Sequence, residues 1–122
     1  MDANTSYSFC EVDIVGNIYV AGSFGETVDF DPSSGIARLT SIGQSDAFLS
    51  KYDIDGGFQW ARHWGGEGII GGGFLVTADV DGYAYVTGSF AGTADFDPGP
   101  EVYECNTTVG FYLTKFPPDG EW

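Results

Sequence analysis

The chain has 122 residues, of which 18 are Asp or Glu and four are Lys or Arg, so its formal net charge is −14. This charge repels the phosphates of nucleic acids and the headgroups of anionic lipids, which excludes both as partners. Hydrophobic residues make up 43% of the chain and aromatic residues 16%, which excludes a disordered composition, and no stretch reaches the roughly 18 apolar residues of a membrane-spanning helix.

The first half of the chain is predicted to form four short strands, at residues 9–13, 17–23, 47–53 and 58–63, and no helix is predicted anywhere. Each segment is rich in aromatic or β-branched residues and is bounded by turn residues. At 13–16 and 53–56, an Asp-x-x-Gly sequence places Asp where it caps a turn and Gly where a positive φ is needed. We therefore expect consecutive strands to run antiparallel, as a meander.

The second half of the chain repeats the first. The sequence from Gly16 to Phe24 recurs from Gly82 to Phe90, an offset of 66 residues, and Asp-Phe-Asp-Pro at 29–32 recurs at 95–98 with the same offset. Residues 48–52 recur at 112–116 with an offset of 64, so the second copy lacks two residues in between. Its strands are predicted at 74–79, 83–89 and 110–116, with a fourth beginning at Trp122. Such a repeat indicates units that share a core with their neighbours.

Three segments of the first copy resemble bacterial β-propeller repeats: Asp-Ile-Val-Gly-Asn-Ile-Tyr-Val-Ala-Gly at 13–22, Asp-Ala-Phe-Leu-Ser-Lys at 46–51 and Trp-Ala-Arg-His-Trp-Gly-Gly at 60–66. The second copy departs from this pattern at Tyr83 and at Gly110-Phe111. The resemblance covers nearly the whole chain and implies an all-β fold of two four-stranded antiparallel meander blades of a β-propeller. On this interpretation residues 1–66 form the first blade, 67–73 a Gly-rich crossover, and 74–122 a truncated second blade.

Two blades cannot close a propeller ring, which takes four to eight. The chain is therefore expected to be part of a longer protein or to assemble head to tail with further blades of other copies. The resemblance also implies an extracellular or cell-surface location. Residues 1–8 lack the basic start and apolar run of a signal peptide, so export would need a segment outside this sequence.

The repeated Asp-Phe-Asp-Pro sequence is the sharpest candidate site. Strand alternation places Asp29 and Asp31 on one side of the backbone and Phe30 on the other, and the same holds for Asp95 and Asp97. Paired carboxylate oxygens suit a hard cation such as Ca²⁺, so these four aspartates are candidate metal ligands. The alternative is a solvated loop capped by Asp, and no complete calcium-binding loop motif is present.

Other chemistry-bearing residues give weaker signals. Trp60 and Trp64, if exposed near carboxylates, could form a sugar-binding surface. His63 is the only histidine and has no second ligand at metal-binding spacing. The Gly-x-Gly-x-x-Gly spacing at 66–71 precedes a predicted strand, so it lacks the helix that a dinucleotide loop requires. Cys10 and Cys105 could form a disulfide in an oxidising compartment.

Together these features predict a non-catalytic repeat module of an exported or cell-surface protein that binds a protein or polysaccharide ligand. The one candidate cofactor is Ca²⁺. Two alternatives stay open. The repeats could be sectors of a propeller glycosidase or lyase that uses Asp29, Asp31, Asp95 and Asp97, or they could be a calcium-dependent lectin-like module.

Overall fold

The structure is a computed structural model that describes residues 5–66, 69–98 and 101–121. Within these residues the fold is all-β and every strand pairing is antiparallel, which confirms the predicted fold class at this level. The nine strands of this described part form a four-stranded sheet, a two-stranded hairpin and a three-stranded sheet. No helix long and apolar enough to cross a bilayer occurs in these ranges.

The first sheet contains the four strands that the sequence predicts. They are β1 (Thr5–Val12), β2 (Ile18–Phe24), β5 (Asp46–Tyr52) and β6 (Phe58–Trp64), and their order in the sheet is β1-β2-β5-β6. The Asp-x-x-Gly turns join β1 to β2 and β5 to β6 as expected. In the first turn, the amide of Gly16 donates to the carbonyl of Asp13 at 3.1 Å, and Gly16 has a φ of 94°.

A hairpin that the sequence analysis did not predict lies between β2 and β5. It pairs β3 (Thr27–Asp29) with β4 (Arg38–Thr40). Val28 and Phe30 are fully buried, and the Phe30 ring lies 5.3 Å from that of Phe24 and 4.8 Å from that of Phe48. The hairpin therefore covers one face of the first sheet, and this burial of alternate apolar residues explains why the segment is ordered as strand.

The second sheet contains β7 (Ile69–Ala78), β8 (Ala84–Asp95) and β9 (Glu104–Phe116), in the order β7-β8-β9. Strands β8 and β9 extend beyond the predicted bounds because the counterpart of the β3–β4 hairpin continues directly from them. The join is a register shift between Phe90 and Gly92, where Gly92 has a φ of 85°. The fourth strand expected from Trp122 lies outside the described residues.

The predicted Gly-rich crossover at 67–73 is wrong for most of its length. Residues 69–73 belong to β7, where Ile69 pairs with Ala91 and Gly71 with Ser89, while 67 and 68 lie outside the described residues. Glycine does not prevent this pairing, because ladder hydrogen bonds need only the backbone. A strand after the glycine run agrees with the expectation that no helix begins there.

The two sheets pack front to back. We call the face of the first sheet that carries Tyr19 and Leu49 its front, and the opposite face, under the hairpin, its back. By the same definition the front of the second sheet carries Tyr85 and Leu113, the counterparts of Tyr19 and Leu49, and its back carries Val86 and Tyr112. The front of the first sheet packs against the back of the second. Val86 and Tyr112 are the repeat counterparts of Val20 and Phe48, which belong to the cluster on the back of the first sheet. One core, in which Trp64 packs 5.5 Å from the ring of Phe116, thus joins both repeats.

Candidate binding surface

The aspartates of the first Asp-Phe-Asp-Pro sequence accept hydrogen bonds from their own loop. Oδ1 of Asp29 accepts from the amides of Asp31 at 3.0 Å and Ala37 at 2.9 Å, and Oδ1 of Asp31 accepts from the amide of Ser33 at 2.8 Å. Donation by the Ala37 and Asp31 amides holds the pKa of Asp29 below its ordinary value. Phe30 points the other way and is buried, as the strand alternation predicts.

The second copy repeats this arrangement. Oδ1 of Asp95 accepts from the amides of Asp97 at 3.0 Å and Tyr103 at 2.9 Å, and Phe96 is buried against Phe90. The two pairs of aspartates lie on separate hairpins, one in each repeat. Within residues 5–66, 69–98 and 101–121, no group of three or more His, Cys, Asp or Glu side chains could hold a metal ion. Calcium binding by the aspartates and the alternative of an Asp-capped loop therefore both stay predictions.

An open cavity of about 460 Å³ lies where the two repeats meet. Its lining combines carboxylates, a hydroxyl, exposed backbone and apolar side chains, from Ile42, Gly65, Gly66, Thr93, Asp95, Val102 and Glu104. The backbone of Asp95 pairs with that of Gly65, at 2.6 and 3.1 Å, which joins the extended hairpin of the second sheet to the end of β6. Asp95 is thus one predicted site residue that the fold places at a cavity.

The cavity is acidic because the two repeats differ at one cross-strand pair. Asp29 pairs with Arg38 across the first hairpin, but at the equivalent position of the second repeat Asp95 pairs with Glu104. Directly opposed side chains have Cβ atoms roughly 4.5 to 5.5 Å apart, and like charges at that spacing destabilise a sheet. Two acidic residues therefore occupy one cross-strand pair beside open space, where a cationic or hydroxyl-rich group could neutralise or bind them.

A pair formed by a partly exposed histidine and a buried aspartate supports the first-repeat side of this cavity. Nδ1 of His63 lies 2.7 Å from Oδ2 of Asp46, and Asp46 is completely buried. The Asp46 carboxylate also accepts from the amides of Ile42 and Gly43, at 2.9 and 3.3 Å, so it braces the loop that carries Ile42 into the cavity.

Sequence reasoning missed this role because it treated His63 alone. A usable signal was present: Gly110 replaces Asp46 in the second copy, where the preceding loop is two residues shorter. The second copy therefore lacks both the aspartate and the longer loop that the aspartate braces in the first copy.

The alternative of an exposed tryptophan surface is not borne out. Trp60 and Trp64 are buried between the sheets, and Nε1 of Trp60 donates to the carbonyl of Pro118 at 2.9 Å. The indoles are therefore part of the shared core and are not open to a sugar. Cys10 and Cys105 are free thiols, so the disulfide that the sequence allowed is not formed.

No known protein family, curated protein or solved structure matches this chain. The resemblance to β-propeller repeats therefore rests on the quoted sequence segments alone.

Proposed function

We propose that this chain is a non-catalytic, β-propeller-type repeat module of an exported or cell-surface protein, and that it binds a polysaccharide or protein ligand at the cavity between its repeats. The repeat pattern and the front-to-back packing of the two sheets support the propeller interpretation, because both extend naturally to further blades. The ligand-binding part of the proposal depends on the cavity.

The single observation that carries the binding proposal is the Asp95–Glu104 pair beside a cavity of about 460 Å³. Binding sites combine apolar lining with a few placed polar groups, and this cavity has Ile42 and Val102 as well as the two carboxylates and Thr93. Carboxylates accept hydrogen bonds from sugar hydroxyls and attract amines. Hydroxyl-rich or amine-bearing polysaccharides are therefore the favoured ligands, with a cationic protein segment as the alternative.

The binding experiment uses the Glu104→Arg variant, which copies the Asp29–Arg38 pair of the first repeat. We expect it to fold at least as stably as the natural chain, because it replaces a like-charge pair by an opposite-charge pair. A panel of soluble neutral and amine-bearing polysaccharides is screened by calorimetry. Binding should be lost in Glu104→Arg and retained in Glu101→Arg, which makes the same charge change at an exposed residue. Equal binding by both variants would show that the cavity is not the site.

The enzymatic alternative has one observation in its favour, since Asp95 and Glu104 are two carboxylates at one cavity, and glycosidases act through such pairs. The same polysaccharides are incubated with the chain, and the release of reducing ends or of unsaturated sugars is measured. The non-catalytic proposal predicts no release above that of the Asp95→Asn, Glu104→Gln double variant.

A further inference from the structure

At the interface between the two sheets, a lysine and a tyrosine of the first sheet bind backbone carbonyls in turns of the second repeat. Nζ of Lys51 donates to the carbonyl of Pro118 at 2.9 Å while lying 5.5 Å from the ring centre of Tyr19. The hydroxyl of Tyr19 donates to the carbonyl of Gly82 at 3.3 Å. Burial, with the nearby carboxylates of Asp13 and Asp79, raises the pKa of Tyr19 to about 12, so its proton is retained. A lysine–tyrosine pair on one sheet thus binds carbonyls in two turns of the next.

The second sheet carries the same lysine–tyrosine pair on a face that the described residues leave uncovered. Lys115 is the repeat counterpart of Lys51 and Tyr85 that of Tyr19, and Nζ of Lys115 lies 5.6 Å from the centre of the Tyr85 ring. Leu113 is 71% exposed, whereas its counterpart Leu49 is completely buried under the second sheet. An apolar cavity of about 350 Å³ lies on this face, lined by Leu75, Val76, Thr77, Tyr85, Thr87 and Leu113.

The back of the first sheet carries the matching half of the interface. Ile54 is the counterpart of Pro118 in the turn after β5, and it is 69% exposed. Val20 is partly exposed, whereas its counterpart Val86 is completely buried by the neighbouring sheet. The space above Gly56 is also open: no atom lies within 4 Å of a Cβ built there. The chain therefore presents the two complementary halves of its own internal interface at opposite ends.

We infer that two copies of this chain dock head to tail, with the front of the second sheet of one copy on the back of the first sheet of the other, and with Lys115 donating to the carbonyl of Ile54. The docking repeats the contact between the two sheets within one chain, so it continues an interface that the fold already contains. It rests on the repeat architecture of the proposed function and needs no ligand. The contact is heterologous, so it joins copies in one direction and is not a two-fold dimer.

Charge decides the conditions under which docking should be seen. Each chain has a net charge of −14 and four basic residues. Two of these, Lys51 and Arg62, already bind carbonyls in the turn after β9 of their own chain. Two such chains repel each other at low ionic strength, and salt screens this repulsion. Self-association should therefore strengthen as NaCl rises from about 0.05 to about 0.5 M, over which the screening length falls from more than 10 Å to a few ångströms.

The experiment is sedimentation velocity of the natural chain and of variants that block one face each. Leu113→Lys blocks the front of the second sheet and Ile54→Lys blocks the back of the first. Both residues are exposed, so neither change should unfold the chain. Val80→Lys makes the same change at an exposed residue in the turn between β7 and β8, whose counterpart Ile14 stays exposed beside the internal interface, and it should associate like the natural chain.

Head-to-tail docking predicts a distinctive mixing result. Each blocked variant alone should be monomeric, while a mixture of the two should form a one-to-one dimer that grows no further, because each partner supplies the face that the other has lost. Lys115→Met should weaken association at least tenfold, whereas Arg38→Met, which removes the same charge from β4, should not. A Leu113→Lys chain that is monomeric beside an Ile54→Lys chain that still dimerises would indicate a two-fold contact and overturn the inference.

A natural chain that stays monomeric at every salt concentration would also overturn docking between copies. That outcome leaves the binding proposal to its own test, since the Glu104→Arg comparison reports on the cavity and does not depend on association. Conversely, if neither the natural chain nor any variant bound a polysaccharide, the binding proposal would fail. The result of mixing the two blocked variants would still stand. The two failures are therefore distinguishable.

Discussion

The indole ring of Trp60 covers Gly120 so closely that a Cβ built on the glycine would lie 2.7 Å from Cδ2 of the ring. Trp60 belongs to the first sheet and Gly120 to the turn that follows the second, so this contact measures how tightly the repeats are packed. The counterpart of Gly120 in the first repeat is Gly56, which has a similar positive φ and open space above it. Gly56 is therefore a matched control for substitutions at Gly120.

We expect Gly120→Ala to be more destabilising than Gly56→Ala. The two glycines have φ values of 77° and 84°, so each alanine carries a similar backbone penalty of about 1 kcal/mol. Only at position 120 does the new methyl group also displace Trp60, which adds about 1 to 3 kcal/mol for overpacking. Urea denaturation of both variants gives the difference. Equal costs would mean that Trp60 is not seated on the turn.

Tyr52→Phe tests the attachment of the β3–β4 hairpin to the first sheet. The buried hydroxyl of Tyr52 donates to the carbonyl of Phe30 at 2.9 Å. Removing it leaves that carbonyl without this donor, which costs about 1 to 3 kcal/mol. Thermal unfolding should show the loss, while Tyr103→Phe, at a largely exposed ring, should change stability by no more than about 0.5 kcal/mol.

The aspartate in the first hairpin should contribute to acid sensitivity. The amides of Ala37 and Asp31 hold the pKa of Asp29 below its ordinary value of 3.8. A lowered folded-state pKa gives stability that is present above 3.8 and is lost as the pH falls through the folded value. Asp29→Asn keeps an oxygen acceptor for these amides but does not titrate, so its melting temperature should fall less between pH 5 and about pH 2. Glu101→Gln is the matched control, and an unchanged acid response in Asp29→Asn would contradict the prediction.

Calcium provides the test of the four aspartates as metal ligands. Oδ1 of Asp29 and of Asp95 each already accept two amides, which favours the loop-capping role, so we expect no rise in melting temperature with millimolar Ca²⁺ over EDTA. A rise that disappears in the Asp31→Asn, Asp97→Asn double variant would instead establish a metal site at these loops.

Local chemistry made much of the fold predictable. The strand at Ile18–Phe24 and the turn that ends at Gly16 follow from alternation, aromatic content and the Asp-x-x-Gly sequence, all of which act over a few residues. The hairpin at β3 and β4 was missed because its strands have three residues each, too few for a periodic signal. Its order depends on Phe30 reaching the sheet that it covers.

The candidate site was harder to predict than the strands. The Asp-Phe-Asp-Pro repeats directed attention to Asp95, which does line the cavity, but Glu104 becomes significant only when strand register places it opposite Asp95. Likewise, Asp46 and His63 are 17 residues apart and meet because β5 and β6 are neighbours. Trp60 and Trp64 were considered as ligand-binding residues, but the second sheet covers them and they belong to the core. Whether an indole is exposed to a ligand or buried in a core depends on the packing of the sheets.

The sequence by itself determined the repeat, the antiparallel strands, most of the turns and the strong negative charge, because these depend on residue type and on neighbours within one turn or strand. Only the tertiary structure decided that the front of the first sheet packs on the back of the second. That choice places Lys51 on the turn at Pro118 and Glu104 beside a cavity. The physical reason is that each strand carries two faces, and which face is buried is settled by the packing of sheets formed from residues far apart in the chain.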